Sequence, residues 1–213
     1  MKTLRNTVLI VLALILAVAP MACAGQRGPL TLTEKEHYAV NLFLSNFTET
    51  GIDAISTYEY EDETLVDFAH DHLWFNDYDS FEYGDYSRDN NCRVSDNRIQ
   101  QIIDKYFLDP RIVDLSQTRF DYDGEYYYHC ETGGWTSCGF AMNTSVCPIE
   151  DGYYYVSFMI FAGGEAWDNT ALNLSIAEAW EQFGHPCGYG SALVSAEDLA
   201  DRSTYRMIEY GTI

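Results

Sequence analysis

The stretch TEKEHYAVNLFLSNF, residues 33–47, contains a helix start and the apolar face of the same helix. Thr33 and Glu36 form a capping box, in which each side chain satisfies a free backbone amide at the helix start. The apolar residues that follow recur at the i, i+3, i+4, i+7 spacing of one helix face: Val40, Phe43, Leu44 and Phe47. Gly51 ends the segment. The sequence therefore predicts an N-terminal helix that packs one side against a core.

Two further helices are predicted before the pattern changes. One runs from about Asp62 to Phe75, with its apolar residues on one side. The other opens at Ser95 or Asp96, carries isoleucines at helical spacing and ends at Pro110. Between them, residues 76–91 are acidic and rich in turn-forming residues, which predicts a loop.

After Arg119 the chain is rich in tyrosine, phenylalanine and valine, which predicts strands. The predicted strands are Arg119–Cys130, Trp135–Cys147, Tyr153–Phe161, Ser191–Ser195 and Thr204–Tyr210. Three dipeptides are turn signals: Asp123-Gly124, Gly133-Gly134 and Asp151-Gly152. A second capping box, formed by Ser175 and Glu178, predicts one more helix that ends at Gly184.

Helices first and a meandering sheet afterwards indicate an α+β fold. We expect three N-terminal helices packed on a curved antiparallel sheet, with one further helix before the last two strands. By analogy alone, this arrangement is similar to NTF2-like and cystatin-like architectures. Residues 33–213 are expected to form a single domain, because the length suits one core and no internal repeat is visible.

Residues 1–24 have the pattern of an export signal. Lys2 and Arg5 precede an apolar run, residues 8–18, that is too short to span a bilayer. Two cleavage sites fit. Cleavage before Cys23 would make this cysteine the lipid-attachment residue of a bacterial lipoprotein, and cleavage after Ala24 would use an A-x-A site. Residues 25–32 would then be a short tether. Both alternatives predict an extracytoplasmic domain, either lipid-anchored to the cell membrane or secreted.

The charge of the chain excludes several classes of partner. It has 33 acidic residues against 12 lysines and arginines, and removal of Lys2 and Arg5 with the signal lowers the net charge from −21 to −23. Nucleic acid binding needs clustered basic residues, so no nucleic acid partner is expected. The same charge disfavours electrostatic membrane binding, so any membrane attachment would be through the lipid. We expect a soluble monomer whose ligand or surface partner the sequence does not identify.

Five cysteines are left for the folded domain, whichever cleavage site is used: Cys92, Cys130, Cys138, Cys147 and Cys187. Export favours disulfides, and an odd number leaves at least one thiol outside them. The pairing does not follow from the sequence. The favoured arrangement has one bond within Cys130, Cys138 and Cys147, with Cys92–Cys187 as a further candidate. The close C-x₂-C spacing of structural zinc sites is missing.

His72 is the most interesting single residue for chemistry. Its helical position is on the predicted buried side, and Asn46 of the preceding helix is a candidate neighbour. A histidine in a pocket can act as an acid, a base or a ligand. The favoured interpretation is a core histidine satisfied by one hydrogen bond. His70 points away from this side, because residues i and i+2 diverge on a helix, and is expected to be solvated.

The acidic loop supplies candidate calcium ligands, namely Asp77, Asp79 and Glu82. EF-hand spacing fails, because Phe81 occupies a ligand position, so a solvated acidic loop is favoured and no metal is expected. The tyrosine runs 126–128 and 153–155 place rings on both faces of their strands. One face belongs to the core, and the other either packs across strands or offers a stacking platform for sugars or peptides.

Several segments resemble a group of uncharacterised secreted proteins and lipoproteins of Gram-positive bacteria, many of them clostridial and gut lineages. The matching segments are Tyr38-x-x-Asn41-Leu42-Phe43-Leu44-Ser45-Asn46-Phe47-x-Glu49, Leu65-Val66-x-Phe68-Ala69-x-x-His72, Lys105-Tyr106-Phe107, Asp151-Gly152-Tyr153-Tyr154-x-Val156 and Ser203-Thr204-Tyr205-Arg206. The cysteine content departs from that group. The resemblance implies bacterial export and brings no catalytic residue.

Two functional hypotheses follow. The favoured one is a non-catalytic, exported surface domain that binds a ligand or partner or supports the cell envelope. The alternative is a hydrolase-like pocket enzyme that uses His72 with a carboxylate. No hydrolase, P-loop or dinucleotide-binding motif is present, so no cofactor is expected. The hypotheses differ in one observable, since only the enzyme needs a solvent-connected cavity with His72 beside an acidic residue.

Overall fold

The computed structural model describes residues 28–56, 61–87, 90–108, 113–130, 139–163 and 168–213. Within these ranges the helices are α1 (Glu34–Glu49), α2 (Asp62–Asn76), α3 (Asp96–Tyr106) and α4 (Ile176–Phe183). The strands are β1 (Ala54–Ser56), β2 (Glu82–Tyr83), β3 (Cys92–Ser95), β4 (Asp121–Tyr122), β5 (Tyr126–His129), β6 (Gly139–Glu150), β7 (Tyr153–Ala162), β8 (Gly188–Ser195) and β9 (Arg206–Thr212). Short 3₁₀ helices occupy Tyr78–Ser80, Asn169–Asn173 and Arg202–Thr204.

The strands form two antiparallel sheets. The main sheet has five strands in the order β1-β9-β8-β7-β6, and the small sheet has the order β2-β3-β5-β4. The α+β fold is confirmed: the first three helices precede strands β6 to β9 of the main sheet, and α4 precedes its last two strands. Strand β1 of this sheet lies between α1 and α2 in the chain. Residues 1–27, which include the predicted signal and Cys23, lie outside the described ranges.

The small sheet was not predicted as a unit. Strands β2 and β3 have two and four residues, and the alternation rule needs longer runs to identify a strand. Within the predicted loop over residues 76–91, the structure has a 3₁₀ turn (Tyr78–Ser80) and the two-residue strand β2, and the other described residues after Asn76 are bends or irregular backbone. This small sheet covers the side of α2 that the sequence suggested was solvated.

The predicted helix starts are confirmed. Thr33 and Ser175 each form a complete capping box with the glutamate three residues later, and Ser95 accepts a hydrogen bond from the Arg98 amide at the start of α3. The helix α4 ends at Gly184, whose φ of 82° lies in the left-handed region that favours glycine.

The main core lies between the three N-terminal helices and one face of the main sheet. Phe47 of α1 is at its centre and stacks on Phe68 of α2, with ring centroids 4.6 Å apart, and on Tyr210 of β9 at 5.4 Å. A row of opposed residues across the five strands supplies the sheet side of this core: Val146, Val156, Ala192, Tyr210 and Ile55. A smaller cluster forms where α4 covers Phe140, Met142 and Phe161 on the opposite face.

The other side of α1 is polar and covers the edge strand β6. The Asn143 backbone amide donates to Asn41 Oδ1 (2.7 Å), and the Ala141 amide donates to Ser45 Oγ (3.0 Å). The Thr48 hydroxyl in turn donates to the Gly139 carbonyl (2.9 Å). Three helical side chains thus satisfy backbone groups that an edge strand would otherwise leave unpaired.

The N-terminal segment extends this cover. The Leu30 amide donates to the Val146 carbonyl at 2.9 Å, and Leu32 packs against the main core. Leu30 and Leu32, within the expected tether of residues 25–32, are thus in contact with the domain. Among the helices of the described ranges, none is both long and apolar enough to span a bilayer.

Candidate functional site

A cleft of about 630 Å³ lies on the main sheet, bounded by β1, β7, β8, β9 and the start of α2. We call it the sheet-face cleft. Strand register explains its composition: Tyr155 of β7 is opposite Leu193 of β8. Leu193 is opposite Glu209 of β9, which is opposite Ser56 of β1. Directly opposed residues point to the same side of a sheet, so this row alternates with the core row and faces outward.

The second row of the cleft is built from small residues. Ser191 of β8 is opposite Gly211 of β9, and Gly211 is opposite Ala54 of β1. A Cβ atom added at Gly211 would meet no atom within 4 Å. Part of the depth of the cleft therefore comes from the absence of a side chain at Gly211, and not from a separation between strands.

The polar side chains of this cleft are available to a ligand. Among the described residues, none makes a hydrogen bond or ion pair with the side chains of Tyr155, Ser191, Glu209, Glu61 or Thr64. Glu61 and Glu209 are exposed, and Tyr155 is half-buried. One aromatic ring, two carboxylates and two hydroxyls thus converge without structural partners.

A second cleft, of about 690 Å³, lies between the starts of α1 and α4 and the edge strand β6. Its central side chain, His37, is already engaged: Asn143 Nδ2 lies 3.0 Å from Nδ1 and the Leu174 carbonyl lies 3.3 Å from Nε2. Asn41 Nδ2 is also 3.1 Å from Nε2. This cleft differs from the first because its polar groups serve the fold.

The neighbouring hydrogen bonds indicate one tautomer of the His37 ring. Asn41 Oδ1 accepts from the Asn143 amide and Asn41 Nδ2 donates to the Leu172 carbonyl at 2.9 Å, so the orientation of this side chain is set. Asn143 Nδ2 must then face Asn41 Oδ1, 2.6 Å away, and it also donates to His37 Nδ1. The tautomer with its proton on Nε2, which donates to the Leu174 carbonyl, satisfies the most contacts.

A third, smaller cleft of about 340 Å³ is lined by Asp67, Asp71 and Arg119. Here too the charged groups are paired. Arg119 forms an ion pair with Asp71 and lies 3.7 Å from Asp67, while the Thr118 hydroxyl donates to Asp67 at 2.8 Å. These contacts join α2 to the segment before β4.

His72 is a packed core residue, as favoured from the sequence. It is only 4% exposed, and its ring lies against Phe68 and Tyr106, with centroid distances of 5.8 and 4.6 Å. Its hydrogen-bond partner is an amide, since Asn76 Nδ2 lies 3.2 Å from Nδ1. Burial, with a smaller contribution from the charge of Lys105, lowers the pKa of His72 to about 3. His72 lines none of the three clefts.

Asn46 is buried, but the structure shows no hydrogen bond between it and His72. Its amide instead donates to the Leu42 carbonyl of its own helix at 2.8 Å. The carboxylate nearest to the His72 hydrogen-bond chain is Glu49, which accepts from Asn76 Nδ2 at 3.1 Å. Burial raises the pKa of Glu49.

The prediction of a solvated His70 is wrong, because its side chain is fully buried. Its ring stacks on Phe120 with centroids 3.6 Å apart and contacts the edge of Phe81 at 5.4 Å. Neither ring nitrogen has a hydrogen-bond partner among the described residues, although Asp71 Oδ1 lies 3.5 Å from Nδ1. Burial lowers the pKa of His70.

The candidate calcium ligands diverge in the structure. Arg98 binds Asp77 at 2.5 Å, and Arg93 binds Glu82 at 2.7 Å. The hydrogen bond from Ser80 and the Arg98 guanidinium lower the pKa of Asp77. Asp79 is in the 3₁₀ turn between them. Among the described residues, no group of three histidine, cysteine or acidic side chains is placed to hold a metal ion.

The cysteines follow the predicted pattern only in part. The candidate bond Cys92–Cys187 is not formed: both side chains are thiols, Cys187 exposed and Cys92 buried in strand β3 of the small sheet. Cys130 is also an exposed thiol. Cys147 is disulfide-bonded with a partner outside the described residues, and Cys138 lies outside them as well.

The two tyrosine runs have different fates. In the small sheet Tyr127 is buried, and the Arg93 guanidinium covers the outward ring of Tyr126, 3.8 Å from its centroid. In the main sheet Tyr154 packs against the core, whereas Tyr155 faces the sheet-face cleft. In the run 126–128, the rings of Tyr126 and Tyr127 are thus engaged in packing. Of the two runs, only 153–155 presents a ring, that of Tyr155, to the sheet-face cleft.

Sequence reasoning missed Glu209 and Gly211 as site residues. The available signal was the sequence MIEYG in a predicted strand, where a carboxylate and a glycine interrupt apolar residues at alternate positions. No protein-family model, curated protein or solved structure shows a significant match to this chain.

Proposed function

We propose that this protein is an exported bacterial surface domain that binds a ligand without chemical conversion, and that the ligand binds in the sheet-face cleft. The proposal combines the export signal of residues 1–24 with one structural observation. The row Tyr155, Leu193, Glu209 presents an aromatic ring, an apolar side chain and a carboxylate on one open face. Their polar groups have no structural role within the described residues.

The favoured hypothesis, a non-catalytic binding domain, has more support than the alternative of an enzyme that uses His72. That enzyme needs His72 in a solvent-connected cavity beside an acidic residue. The ring is instead enclosed by Phe68 and Tyr106 and hydrogen-bonded by the Asn76 amide. With a pKa of about 3, His72 is neutral at physiological pH and a very weak base.

Attachment to the membrane through Cys23 belongs to the same proposal. Expression of the full chain and of the variant Cys23→Ser in a Gram-positive host, followed by fractionation and intact-mass analysis, tests it. A lipoprotein gives a membrane-bound mature chain carrying the mass of the lipid, which the variant loses. A mature mass that begins at Gly25 supports the secreted form, and an unprocessed cytoplasmic chain contradicts export.

The binding site is tested by filling it. Gly211→Leu adds a side chain where nothing lies within 4 Å, so the fold should tolerate it while the cleft loses volume. Thermal shift is measured for the wild type against a panel of oligosaccharides, peptides and amino acid amides. A ligand of this cleft stabilises the wild type and has at least about tenfold lower affinity for the variant.

The matched control is Gly28→Leu. Gly28 also has no atom within 4 Å of an added Cβ, but it does not line the sheet-face cleft. This control should bind as the wild type does. If a ligand from the panel binds Gly211→Leu as tightly as the wild type, the site is elsewhere and the proposal fails.

A further inference from the structure

The carboxylates of the sheet-face cleft, Glu61 and Glu209, form no ion pair with a described lysine or arginine. Asp77, Glu82 and Asp71 are each paired with an arginine. Glu61 and Glu209 are exposed, and none of the described residues that line the cleft with them is basic, although Glu61 also borders the third cleft, which Arg119 lines. Against a net charge of −21, the cleft is a place where negative potential is not locally compensated.

The same cleft has a ring beside these charges. Tyr155 and Glu209 are two strands apart in one row, which places their backbones about 10 Å from each other. Leu193 lies between them and gives the floor an apolar centre. An organic cation bound here can contact the ring of Tyr155, the aliphatic side chain of Leu193 and the carboxylate of Glu209 at the same time, and each contact adds to its binding free energy.

A metal ion does not fit this arrangement. Calcium takes six to eight oxygen ligands at short distances, and the described residues contain no group of three suitable side chains. An aromatic ring and a leucine contribute nothing to such a site. The chemistry therefore favours an organic cation over an inorganic one.

The cleft is open, which bears on the size of its occupant. Sites for free small molecules bury most of the ligand surface in a concave pocket. Here one side is an exposed sheet face, and Glu61 and Thr64 at the start of α2 line it together with the strands. Such a shape admits a side chain from a larger partner and lets the partner chain continue past the cleft.

We propose that the sheet-face cleft binds a basic segment of a partner polypeptide, with an arginine or lysine side chain lying over Leu193 between Tyr155 and Glu209, and with Glu61 of the same cleft adding negative charge. This inference rests on the proposed function and gives its ligand a chemical class. It assigns the ring to stacking against the cation and the two carboxylates to its charge.

The test uses two short acetylated peptide amides that differ only in arginine or its neutral isostere citrulline, with binding measured by calorimetry at 50 and 150 mM salt. The arginine peptide should bind at least about tenfold more tightly than the citrulline peptide and weaken as salt is raised. Free arginine amide, the small-molecule arm, should bind more weakly than the peptide.

Variants place the interaction in the cleft. Glu61→Gln combined with Glu209→Gln should weaken the arginine peptide about tenfold, and Tyr155→Leu about three- to tenfold. The matched control, Glu181→Gln with Glu197→Gln, makes the same charge change at exposed sites outside the cleft and should change affinity less than twofold. Circular dichroism and melting temperature confirm that each variant is folded.

The outcomes separate this inference from the proposed function. Equal affinity for the citrulline peptide, an equal loss in the control variant, or no binding of the arginine peptide overturns the cationic ligand. The proposal that the cleft is a binding site still holds after that result if another ligand of the panel binds the wild type and loses affinity in Gly211→Leu or Tyr155→Leu. If no panel ligand responds to either cleft variant, both proposals fail.

Discussion

His37 and His70 are two histidines whose rings are held in opposite ways. His37 lies at the joint of α1, β6 and the segment before α4, where Asn143 and the Leu174 carbonyl approach its two nitrogens. His70 is fully buried between α2 and the small sheet, and neither of its nitrogens has a partner among the described residues. The first ring is fixed by hydrogen bonds and the second by aromatic stacking on Phe120.

The difference shows which polar contacts hold this fold. A buried polar group that keeps its hydrogen bonds contributes modestly, whereas one that loses them costs its full desolvation. The joint around His37 connects distant segments of the chain, because Asn41 binds Asn143, 102 residues away, and Ser45 binds Ala141, 96 residues away. His70 connects nothing by hydrogen bonds, so its imidazole is expected to cost stability where a phenyl ring would not.

Asn41→Leu should have the largest effect on this comparison. It removes the acceptor of the Asn143 amide and the donor to the Leu172 carbonyl, both in a buried environment. We expect the free energy of unfolding to fall by about 3–5 kcal/mol, measured by urea denaturation. The matched control is Asn46→Leu, because Asn46 bonds only to carbonyls of its own helix, and it should cost about 1 kcal/mol. Equal losses would show that the bonds to β6 carry no special stability.

Acidification should have the next largest effect. His72 has a pKa of about 3 when folded and about 6.5 when unfolded, so only the unfolded chain takes up this proton as the pH falls below 6.5. The free energy of unfolding therefore decreases as the pH falls, by about 2 kcal/mol between pH 6.5 and 5 and by about 4 kcal/mol between pH 6.5 and 3 from this residue. The lowered pKa of His70 acts in the same direction.

Unfolding curves between pH 7.5 and 5 measure this slope above the usual range of carboxylates. The raised pKa of Glu49 acts in the opposite direction but is common to the wild type and His72→Gln. His72→Gln keeps an acceptor for Asn76 but cannot take up a proton, so its slope should be shallower than that of the wild type. An identical slope in both proteins would contradict the assignment.

The smallest effects come from the two histidines themselves, and they should have opposite signs. At pH 7.5, His37→Phe removes the acceptor for one N–H of the Asn143 side chain and the donor to the Leu174 carbonyl, and it should destabilise by about 1–2 kcal/mol. His70→Phe replaces an unpaired imidazole by an apolar ring of similar shape and should stabilise by about 1 kcal/mol. Thermal and urea unfolding of both variants measure the pair. Destabilisation by His70→Phe would reveal a hydrogen-bonded role for this ring.

The helices were predictable because their signals are local. Capping residues such as Thr33 and Ser175 act within one turn, and the apolar stripe ending in Phe47 has the helical period. The small sheet was not, because strands as short as β2 lack room for a period to appear. The small sheet is what buries His70. Because that sheet was not predicted, His70 was wrongly expected to be exposed to solvent.

The candidate site was predictable only at Tyr155. Its neighbours in the row, Leu193 and Glu209, come from strands 38 and 54 residues later in the chain, and only the register of three strands brings them together. Register depends on bulges such as the shift after Leu193, which no local pattern marks.

The cover on the β6 edge has a consequence for the order in which the protein is made. Synthesis runs from the N-terminus, so Leu30 and α1, with Asn41, Ser45 and Thr48, exist before residue 139 has been added. The groups that cover the edge strand β6 are thus already synthesised when β6 leaves the ribosome. A nascent chain need never present this edge to a second copy, and a truncation that removes α1 would be expected to form β-rich aggregates instead of monomers.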